Sequence, residues 1–335
     1  MSVNKPIQLG LCCLNTILRQ QKPPVFASRK VILRTLHEKG VDHLKEKILQ
    51  NLRDILTMMD WNEANGIKVF RLSSELFPHK SNQKATPYTY DFALELMKQI
   101  GEKSKRYNQR LTFHPGQFNC IGSPKESVVK STTIDLQYHA DVLDLMGLED
   151  NSVMVIHGGG TYKNKPETME RWCKNYLEMP ENIRKRLVLE NCEKNFSIID
   201  CLEISDKVGV PVVFDTHHFE CYKLLHPEEE FAAAGHYIPH ILETWRRRGI
   251  KPKFHVSEQG SGRCGHHSDY IKVIPDYLME IPEKYSVEID IMIEAKMKEQ
   301  AIFRLYQKYP HLSCLKQKKT QRPKSKKKLI LKIVD

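Results

Sequence analysis

The sequence predicts a single-domain α/β protein, an eight-stranded (β/α)8 TIM barrel. Eight short apolar segments alternate with longer amphipathic ones, and this alternation is typical of parallel strands joined by helices. Six of the apolar segments end at or beside a histidine or an acid, as functional residues do at the carboxyl ends of barrel strands. The 335 residues exceed the roughly 250 that a barrel needs, which leaves room for long loops.

The predicted strands are mostly continuous apolar runs, as expected of strands that are buried on both faces. They cover Ile7–Cys12, Lys68–Leu72, Leu111–His114, Val153–His157, Leu187–Glu190, Val210–Asp215, Lys253–Val256 and Ile289–Glu294. The helices between them are predicted from apolar residues spaced three or four apart. They cover Val41–Trp61, Tyr88–Tyr107, Glu126–Met146, Pro166–Leu177, Ser197–Val208, His236–Arg248, Ser268–Met279 and Met297–Tyr309.

The composition favours an intracellular protein, in the cytoplasm or the nucleus. No run of 18 apolar residues occurs, so no membrane span is expected. The nine cysteines are scattered without a CxxC motif, which argues against a disulfide framework and against a zinc ribbon. The amino terminus lacks the layout of a signal peptide.

Positive charge is concentrated at the carboxyl end of the chain. Residues 316–335 hold nine Lys or Arg and one acid, so they contribute +8 to the net charge of +11. We expect residues 1–312 to form the barrel and residues 313–335 to form a basic, disordered tail. Such a tail is either a solvated terminus or an arm that binds nucleic acid or directs the protein to the nucleus.

The polar side chains at the strand ends are of the types that bind transition metals. Eight of them exceed what one ion requires, so we expect two or three ions close together. Such a cluster activates a water and stabilises the attacking and leaving oxygens of a phosphodiester. The predicted ligands are His114, His157, Glu190, Asp215, His218, His255, His267 and Glu294, of which Glu190 and Glu294 are also predicted to be catalytic.

Two positions leave alternatives open. Residues two apart in a strand share a face, which pairs Asp215 with His217, whereas a turn after Asp215 would return His218 instead. Lys253 lies two residues before His255 and is predicted to point into the barrel, where it is a third catalytic candidate. It would be a neutral amine, a phosphate contact, a modified lysine, or a lysine that reaches solvent.

Long loops after the predicted strands carry basic and aromatic residues that suit a nucleic-acid groove. A glutamine and a ring at a loop tip, Gln117 and Phe118, can wedge into a duplex and fill the space of displaced bases. Ordinary loop packing of Phe118 is the alternative. The other predicted nucleic-acid contacts are Arg71, Tyr162, Lys163 and Arg263.

Taken in order, these motifs resemble those of the UV-damage endonuclease family over about residues 7 to 305. The matching stretches are Leu9-Gly10, Phe70-Arg71-Leu72-Ser73-Ser74, Phe113-His114-Pro115-Gly116-Gln117-Phe118, Ser123-Pro124-Lys125-Glu126, Ile156-His157-Gly158-Gly159, Leu189-Glu190-Asn191, Phe214-Asp215-Thr216-His217-His218, Lys253-Phe254-His255-Val256-Ser257, His267-Ser268-Asp269-Tyr270 and Met292-Ile293-Glu294-Ala295-Lys296.

The resemblance implies a TIM barrel with three metal ions, usually manganese, with Mg²⁺ or Zn²⁺ as alternatives. It implies incision of double-stranded DNA immediately 5′ to UV photoproducts, which leaves a 3′-hydroxyl. It also assigns the ligand role to His218, a carboxylated lysine to Lys253 and damage probing to Gln117 and Phe118. We expect a monomer without an obligate protein partner.

The sequence departs from the family pattern at three places. Asn82 stands where the family often has a histidine, and the nearby His79 is a candidate to replace that ligand. Leu11 stands where a tyrosine is common, and Phe118 keeps the ring of another tyrosine without its hydroxyl. Metal occupancy and lesion range are therefore open.

Three other functions fit parts of the pattern. An apurinic-site endonuclease of the endonuclease IV type shares most of the ligands, including an Asp-Thr-x-His element. A sugar isomerase or epimerase on the same barrel needs fewer ligands, and the basic loops speak against it. A protein that only binds DNA needs no metal cluster.

Overall fold

A computed structural model of the chain describes residues 5–315 and confirms the predicted barrel. The strands are β1 (Ile7–Cys12), β2 (Val69–Arg71), β3 (Arg110–Thr112), β4 (Met154–His157), β5 (Leu187–Glu190), β6 (Val212–Asp215), β7 (Lys253–Val256) and β8 (Ile289–Ile293). They are hydrogen-bonded in the order β3-β2-β1-β8-β7-β6-β5-β4, and every pair is parallel. A parallel bridge between Phe113 and Met154 joins β3 to β4 and closes the barrel.

Helices pack around the strands in the predicted alternation. They are α1 (Thr16–Arg19), α2 (Leu33–Ala64), α3 (Leu94–Tyr107), α4 (Glu126–Leu145), α5 (Lys165–Glu178), α6 (Glu181–Arg184), α7 (Ile198–Val208), α8 (Thr216–Leu225), α9 (Ala234–Arg248), α10 (Asp276–Met279), α11 (Ile281–Tyr285) and α12 (Lys298–Lys308). The longest, α2, is interrupted at Gly40, whose φ of 78° is outside the helical region. Among the helices of the described residues, none combines the length and the apolar character that crossing a bilayer requires.

The predicted helix Ser268–Met279 is wrong over most of its length, because only Asp276–Met279 is helical. Pro275 disfavours helical backbone at the residue before it. The Glu258 carboxylate also accepts hydrogen bonds from the backbone N–H groups of Lys272 (2.7 Å) and Val273 (3.1 Å). These bonds keep the segment as a loop over the barrel mouth. The basic segment 316–335 lies outside the described residues.

Buried charges close the end of the barrel opposite the long loops. The Arg110 guanidinium on β3 donates to Asp290 on β8 across the interior at 2.8 Å, and the ammonium of Lys251 lies 2.7 Å from the same carboxylate. Asp290 is fully buried and Arg110 nearly so. A buried pair of this kind is strongly destabilising to break, since either partner alone would be an uncompensated charge. This network is the floor beneath the polar residues described next.

We expect Asp290→Ala to lower the free energy of unfolding by about 3–5 kcal/mol, because Arg110 would stay buried without its partner. Denaturant unfolding followed by circular dichroism measures the change. The double variant Arg110→Met/Asp290→Leu is the control and should recover most of the stability, since apolar side chains replace the pair. A double variant as unstable as Asp290→Ala would contradict this explanation.

Candidate metal centre

All eight predicted ligands converge at the carboxyl end of the barrel. Potential ligand atoms lie within 4.8 Å of one another in three overlapping groups, which are His114, Glu190 and His255; Glu190, Asp215 and His218; and Asp215, His255 and Glu294. The remaining two predicted ligands border these groups. His157 Nε2 is 3.7 Å from a Glu190 oxygen, and His267 Nδ1 is 3.8 Å from a Glu294 oxygen.

Glu190, the last residue of β5, lies at the centre of the cluster. Its side chain is 1% exposed, and one oxygen is 2.9 Å from His114 Nε2. The other oxygen is 2.7 Å from His255 Nδ1 and 3.6 Å from His218 Nδ1. Burial raises the pKa of Glu190, but the imidazoles of His255 and His157 outweigh it and hold that pKa well below its usual value. The carboxylate is therefore ionised although water does not reach it.

The imidazoles are arranged as metal ligands are. Burial lowers the pKa of His157 to about 4, and burial also lowers the pKa of His255. Both rings are therefore neutral at physiological pH, the form that binds metal. His157 Nδ1 and His255 Nε2 are buried and have no hydrogen-bond partner among the described residues. Orphaned ring nitrogens beside ionised carboxylates fit a centre for divalent cations.

Helix α8, which begins directly after Asp215, places His218 rather than His217 beside Asp215 and Glu190. The Asp215 carboxylate caps this helix and accepts hydrogen bonds from the backbone N–H groups of His217 (2.8 Å) and His218 (2.9 Å). The first helical turn brings His218 back to Asp215 and Glu190. His217 turns away, and its Nε2 lies 3.4 Å from Cys221 Sγ. The sequence pattern did not predict α8, so strand spacing alone could not choose.

Asn191 supports two of the ligands at once. Its side-chain oxygen accepts from the Asp215 backbone N–H at 2.8 Å, and its side-chain amide donates to the Asp215 carbonyl at 3.1 Å. The carbonyl of Asn191 lies 3.0 Å from His218 Nδ1, so Nε2 is the ring nitrogen that is free to bind a metal ion. Ser257 Oγ, 3.4 Å from both Asp215 oxygens, adds to this support.

Arg71 lies inside the site rather than on an outer groove. Its guanidinium donates to the Glu294 carboxylate, and its Nε lies 3.4 Å from Cys13 Sγ. Burial raises the pKa of Glu294, but Arg71 and His255 hold it well below its ordinary value. Arg71 also lines a cavity of about 310 Å³ together with His114, Gln117, Glu193 and His267. It is therefore placed to orient Glu294 and to meet an anion that enters the cavity.

Lys253 points into the barrel, as its spacing from His255 predicts. The side chain is fully buried, and its ammonium nitrogen has no hydrogen-bond partner among the described residues. Burial, with the positive charge of Arg110 nearby, lowers the pKa of Lys253 to about 7. The alternative in which Lys253 reaches solvent is therefore wrong, and a neutral amine is accessible near physiological pH.

His79 and Asn82 lie together in the loop after β2. His79 Nδ1 is 3.2 Å from the Asn82 amide, and His79 Nε2 contacts the Val31 carbonyl. Both ring nitrogens of His79 are therefore engaged. Neither residue belongs to the ligand groups that the described residues form.

The predicted nucleic-acid contacts, Arg71 apart, lie on loops above the cluster. Phe118 is 67% exposed and Tyr162 is 41% exposed, and one edge of the Phe118 ring lies against Gly116. Gln117 lines the central cavity. Lys163 neighbours Tyr162, and both have positive φ angles, 66° and 49°. Arg263 projects from the loop after β7, where its Nε lies 3.2 Å from His266 Nε2.

Sequence reasoning missed four residues at the site. They are Asn191, Ser257, Cys13 and Glu193. Asn191 and Ser257 follow strand ends and lie in stretches that match the family motifs, which are the signals that could have found them. Cys13 and Glu193 line the cavity from loops, and no spacing in the sequence indicates that.

The fold and the cluster define a class of protein, a TIM barrel with a histidine and carboxylate centre at the carboxyl ends of its strands. The family model described as UV-endonuclease UvdE matches residues 7–322. The chain belongs to this family, which is one of UV-damage endonucleases.

Individual relatives agree with this assignment. The chain is 41% identical over 308 residues to a putative UV-damage endonuclease of Acanthamoeba polyphaga mimivirus, across 90% of this chain and 91% of the viral one. It is 38% identical over 321 residues to the UV-damage endonuclease of Schizosaccharomyces pombe. That alignment covers 92% of this chain but only 52% of the fungal protein, so the chain spans about half the length of that relative.

Two solved structures share the fold of this chain. The crystal structure of SacUVDE superposes with a TM-score of 0.77 at 29% identity, over 91% of this chain and all of the other. The endonuclease IV of Thermus thermophilus superposes with a TM-score of 0.53 at 14% identity, over 91% of this chain and 98% of the other. The second likeness shows a shared barrel and nothing beyond it.

We expect Lys253→Met to have a higher free energy of unfolding than wild type at low pH, and we expect this difference to depend on pH. Below pH 7 the buried amine is charged in the folded and unfolded states, so wild type bears the full cost of burying it. The pKa of Lys253 is about 7 in the folded state and 10.5 in the unfolded state, so between these pH values only the folded state has lost the proton. In this range the free energy of unfolding of wild type rises by up to about 1.4 kcal/mol per pH unit.

Unfolding of both proteins in chelator at several pH values measures this. The variant should be the more stable one at pH 6.5, which lies below the folded pKa of about 7, and the gap should narrow as the pH rises. A gap that stays constant would show that Lys253 does not titrate in the folded protein.

Proposed function

We propose that the protein is a metal-dependent DNA repair endonuclease that nicks duplex DNA immediately 5′ to UV photoproducts and leaves a 3′-hydroxyl. Cyclobutane dimers and 6-4 photoproducts are the proposed lesions. The observation that carries this proposal is the buried cluster around Glu190, in which eight nitrogen- and oxygen-bearing side chains meet on a chain of the UV-damage endonuclease family.

The cluster supports two or three divalent cations, with Mn²⁺ as the proposed cofactor and Mg²⁺ or Zn²⁺ as alternatives. Bound there, such cations lower the pKa of a coordinated water and offset charge on the scissile phosphate. The residues that would hold them are His114, His157, Glu190, Asp215, His218, His255, His267 and Glu294, and His79 and Asn82 are further candidates.

The remaining polar residues of the site hold these ligands and receive the substrate. Arg71 orients Glu294, and its guanidinium faces the cavity in which a phosphate would lie. Asn191 holds the backbone of Asp215, and Ser257 Oγ and the backbone N–H groups of His217 and His218 hold its carboxylate. Glu190, buried, and Glu294, at the cavity wall, are both ionised and supply the negative charge that retains cations.

Lys253 is proposed to contribute as a carboxylated lysine. A buried amine with a pKa of about 7 is substantially unprotonated at physiological pH. Its nitrogen lone pair can attack carbon dioxide, with formation of an N–C bond, transfer of one C=O electron pair to oxygen and release of a proton. The resulting carbamate would add a negative charge beneath His255.

The loops above the cluster support recognition of a deformed duplex. A photoproduct weakens base stacking, so a kink costs less at a lesion than in intact DNA. Gln117 and the exposed ring of Phe118 are placed to fill the space that displaced bases leave, and Tyr162, Lys163 and Arg263 are proposed to contact the strands. Damaged duplex DNA in the nucleus or cytoplasm is the proposed partner, and we propose a monomer that needs no other protein.

The function is tested with three matched duplexes, which carry a thymine dimer, an abasic site or no lesion. With Mn²⁺ we expect a nick at the 5′ side of the dimer, a 3′-hydroxyl that a polymerase can extend, and no nick in intact DNA. Chelation should abolish the nick and added Mn²⁺ should restore it. Cleavage of the abasic duplex alone would instead support an endonuclease of the endonuclease IV type.

Glu294→Gln should reduce nicking by at least about a thousandfold, because a ligand charge is lost at the cavity wall. Binding to the damaged duplex should persist, since the loops are unchanged. Single-turnover nicking and fluorescence anisotropy measure the two effects. Glu283→Gln, at an exposed glutamate of α11, is the control and should behave as wild type. Activity of Glu294→Gln within about tenfold of wild type would remove Glu294 from the centre.

A further inference from the structure

The catalytic face divides into two halves of opposite charge. The loops that follow β1, β2, β3 and β4 span residues 13–32, 72–90, 113–125 and 158–164, and they hold eight Lys or Arg against one acid, Glu75. The connections after β5 to β8 span 191–197, 226–233, 257–275 and 295–297, and they hold four Lys or Arg against six acids. Neighbouring strands contribute to each half, so the two charges are separated in space.

The cations of the basic half are mostly left without acidic partners. Of the eight, only Arg29 and Lys30 form ion pairs among the described residues, with Asp54 and Glu75. Buried or half-buried cations near the floor of the barrel are instead neutralised, as Lys68 is by Glu63 and Arg186 is by Asp144. Unpaired surface cations on one side of a cleft attract a polyanion and are typical of phosphate contacts.

Exposed rings occur in the same half. Phe118 and Tyr162 lie on the loops after β3 and β4 and are 67% and 41% exposed. The exposed apolar side chains on or beside the other half are aliphatic, namely Leu224, Leu225 and Val273. Rings together with unpaired cations form the surface on which nucleic-acid strands stack and pair their phosphates.

The long first connection, residues 13–32, is held firmly at the rim of the site. The backbone N–H groups of Thr16 (2.8 Å) and Ile17 (3.0 Å) donate to the Glu299 carboxylate on α12. At its other end the Lys30 ammonium lies 2.9 Å from Glu75, and Ser74 beside Glu75 donates to the His114 carbonyl at 3.0 Å. The cations of this connection are therefore held in place relative to the ligand cluster. Contacts to phosphates that fix the position of the DNA on the protein need such a rigid support.

We infer that the duplex lies mainly across the β1–β4 half of the catalytic face, with flanking phosphates bound by the unpaired lysines of its loops. The β5–β8 half, which contributes the proposed contact of Arg263, forms the border of the DNA path. The acidic run Glu228–Glu230, in the connection after α8, would repel phosphates and so limits the DNA path on that side. This inference rests on the proposed function, which supplies the duplex, but it adds the side on which the duplex is held.

Two triple variants with the same charge change test the inference. Lys22→Ala/Lys84→Ala/Lys125→Ala removes one lysine from each of three loops in the β1–β4 half. Lys194→Ala/Lys272→Ala/Lys296→Ala does the same after β5, β7 and β8. All six lysines are exposed and none belongs to the ligand cluster. Far-ultraviolet circular dichroism verifies that both variants fold.

Binding of a duplex of about 30 base pairs is measured by fluorescence anisotropy in chelator, between about 50 and 200 mM salt. The β1–β4 variant should bind about tenfold or more weakly at the lowest salt, and its salt slope should fall by about one for each lost phosphate contact. The β5–β8 variant should stay within about twofold of wild type. Equal weakening of both variants, weakening of the second alone, or no duplex binding by wild type would overturn the inference.

The assay needs no cleavage, so its outcome is independent of the nicking test. A wild-type protein that binds duplex with the expected asymmetry but nicks no dimer would refute the proposed function and leave the surface in place. A protein that nicks at dimers while both variants bind equally would refute the surface alone.

Discussion

The site depends on keeping the charge of Glu190 in a place that water does not reach. An ionised carboxylate is costly to bury unless it is paired, and here the pairing comes from imidazoles on four other strands or their loops. No local segment could supply those partners, because each lies tens of residues away in the chain. The closed parallel barrel supplies them by bringing all the strand ends to one rim. Glu294 repeats the arrangement with Arg71 as its main partner. Two ionised carboxylates beside the neutral imidazoles of His157 and His255 then form a centre that attracts cations, since one nitrogen of each of these two rings has no hydrogen-bond partner among the described residues.

Charged residues also lie below this centre, inside the barrel, and above it, on the loops. The Arg110–Asp290 pair closes the floor, and Lys253 stands between floor and rim with a pKa lowered by burial and by Arg110. A lysine at that depth is compatible with the fold because it can give up its proton. Above the rim, unpaired lysines gather on the loops of β1 to β4, whereas acids gather beyond β5. Cation binding, substrate binding and stability thus depend on charges at different depths of one barrel.

Much of the fold followed from pattern alone. Eight apolar runs separated by amphipathic segments leave few alternatives to a barrel, and the residues at or after the predicted strand ends are those that the structure brings together around Glu190. The errors fell where local signals compete with tertiary ones. The segment Ser268–Met279 was predicted as one helix, yet Glu258 and Pro275 keep most of it in a loop. Helix α8 was missed because Asp215, which looks like the end of a strand, is also the cap of the next helix. Arg71 was predicted only as a nucleic-acid contact, because nothing in the sequence shows that Glu294 lies beside it.

The sequence by itself determined the architecture, the ligand types and the family, because hydrophobic period and residue chemistry are local properties that a single chain displays. Strand spacing left His217 and His218 equivalent, with only the family resemblance in favour of His218, and the sequence could not say whether Lys253 was solvated. Tertiary structure decided both, since a helical turn after Asp215 returns His218 to the cluster and the closed barrel removes water from Lys253. It also decided which lysines stay unpaired, because ion pairs depend on which loops become neighbours. Residues that are far apart in the chain become neighbours only when the barrel has closed.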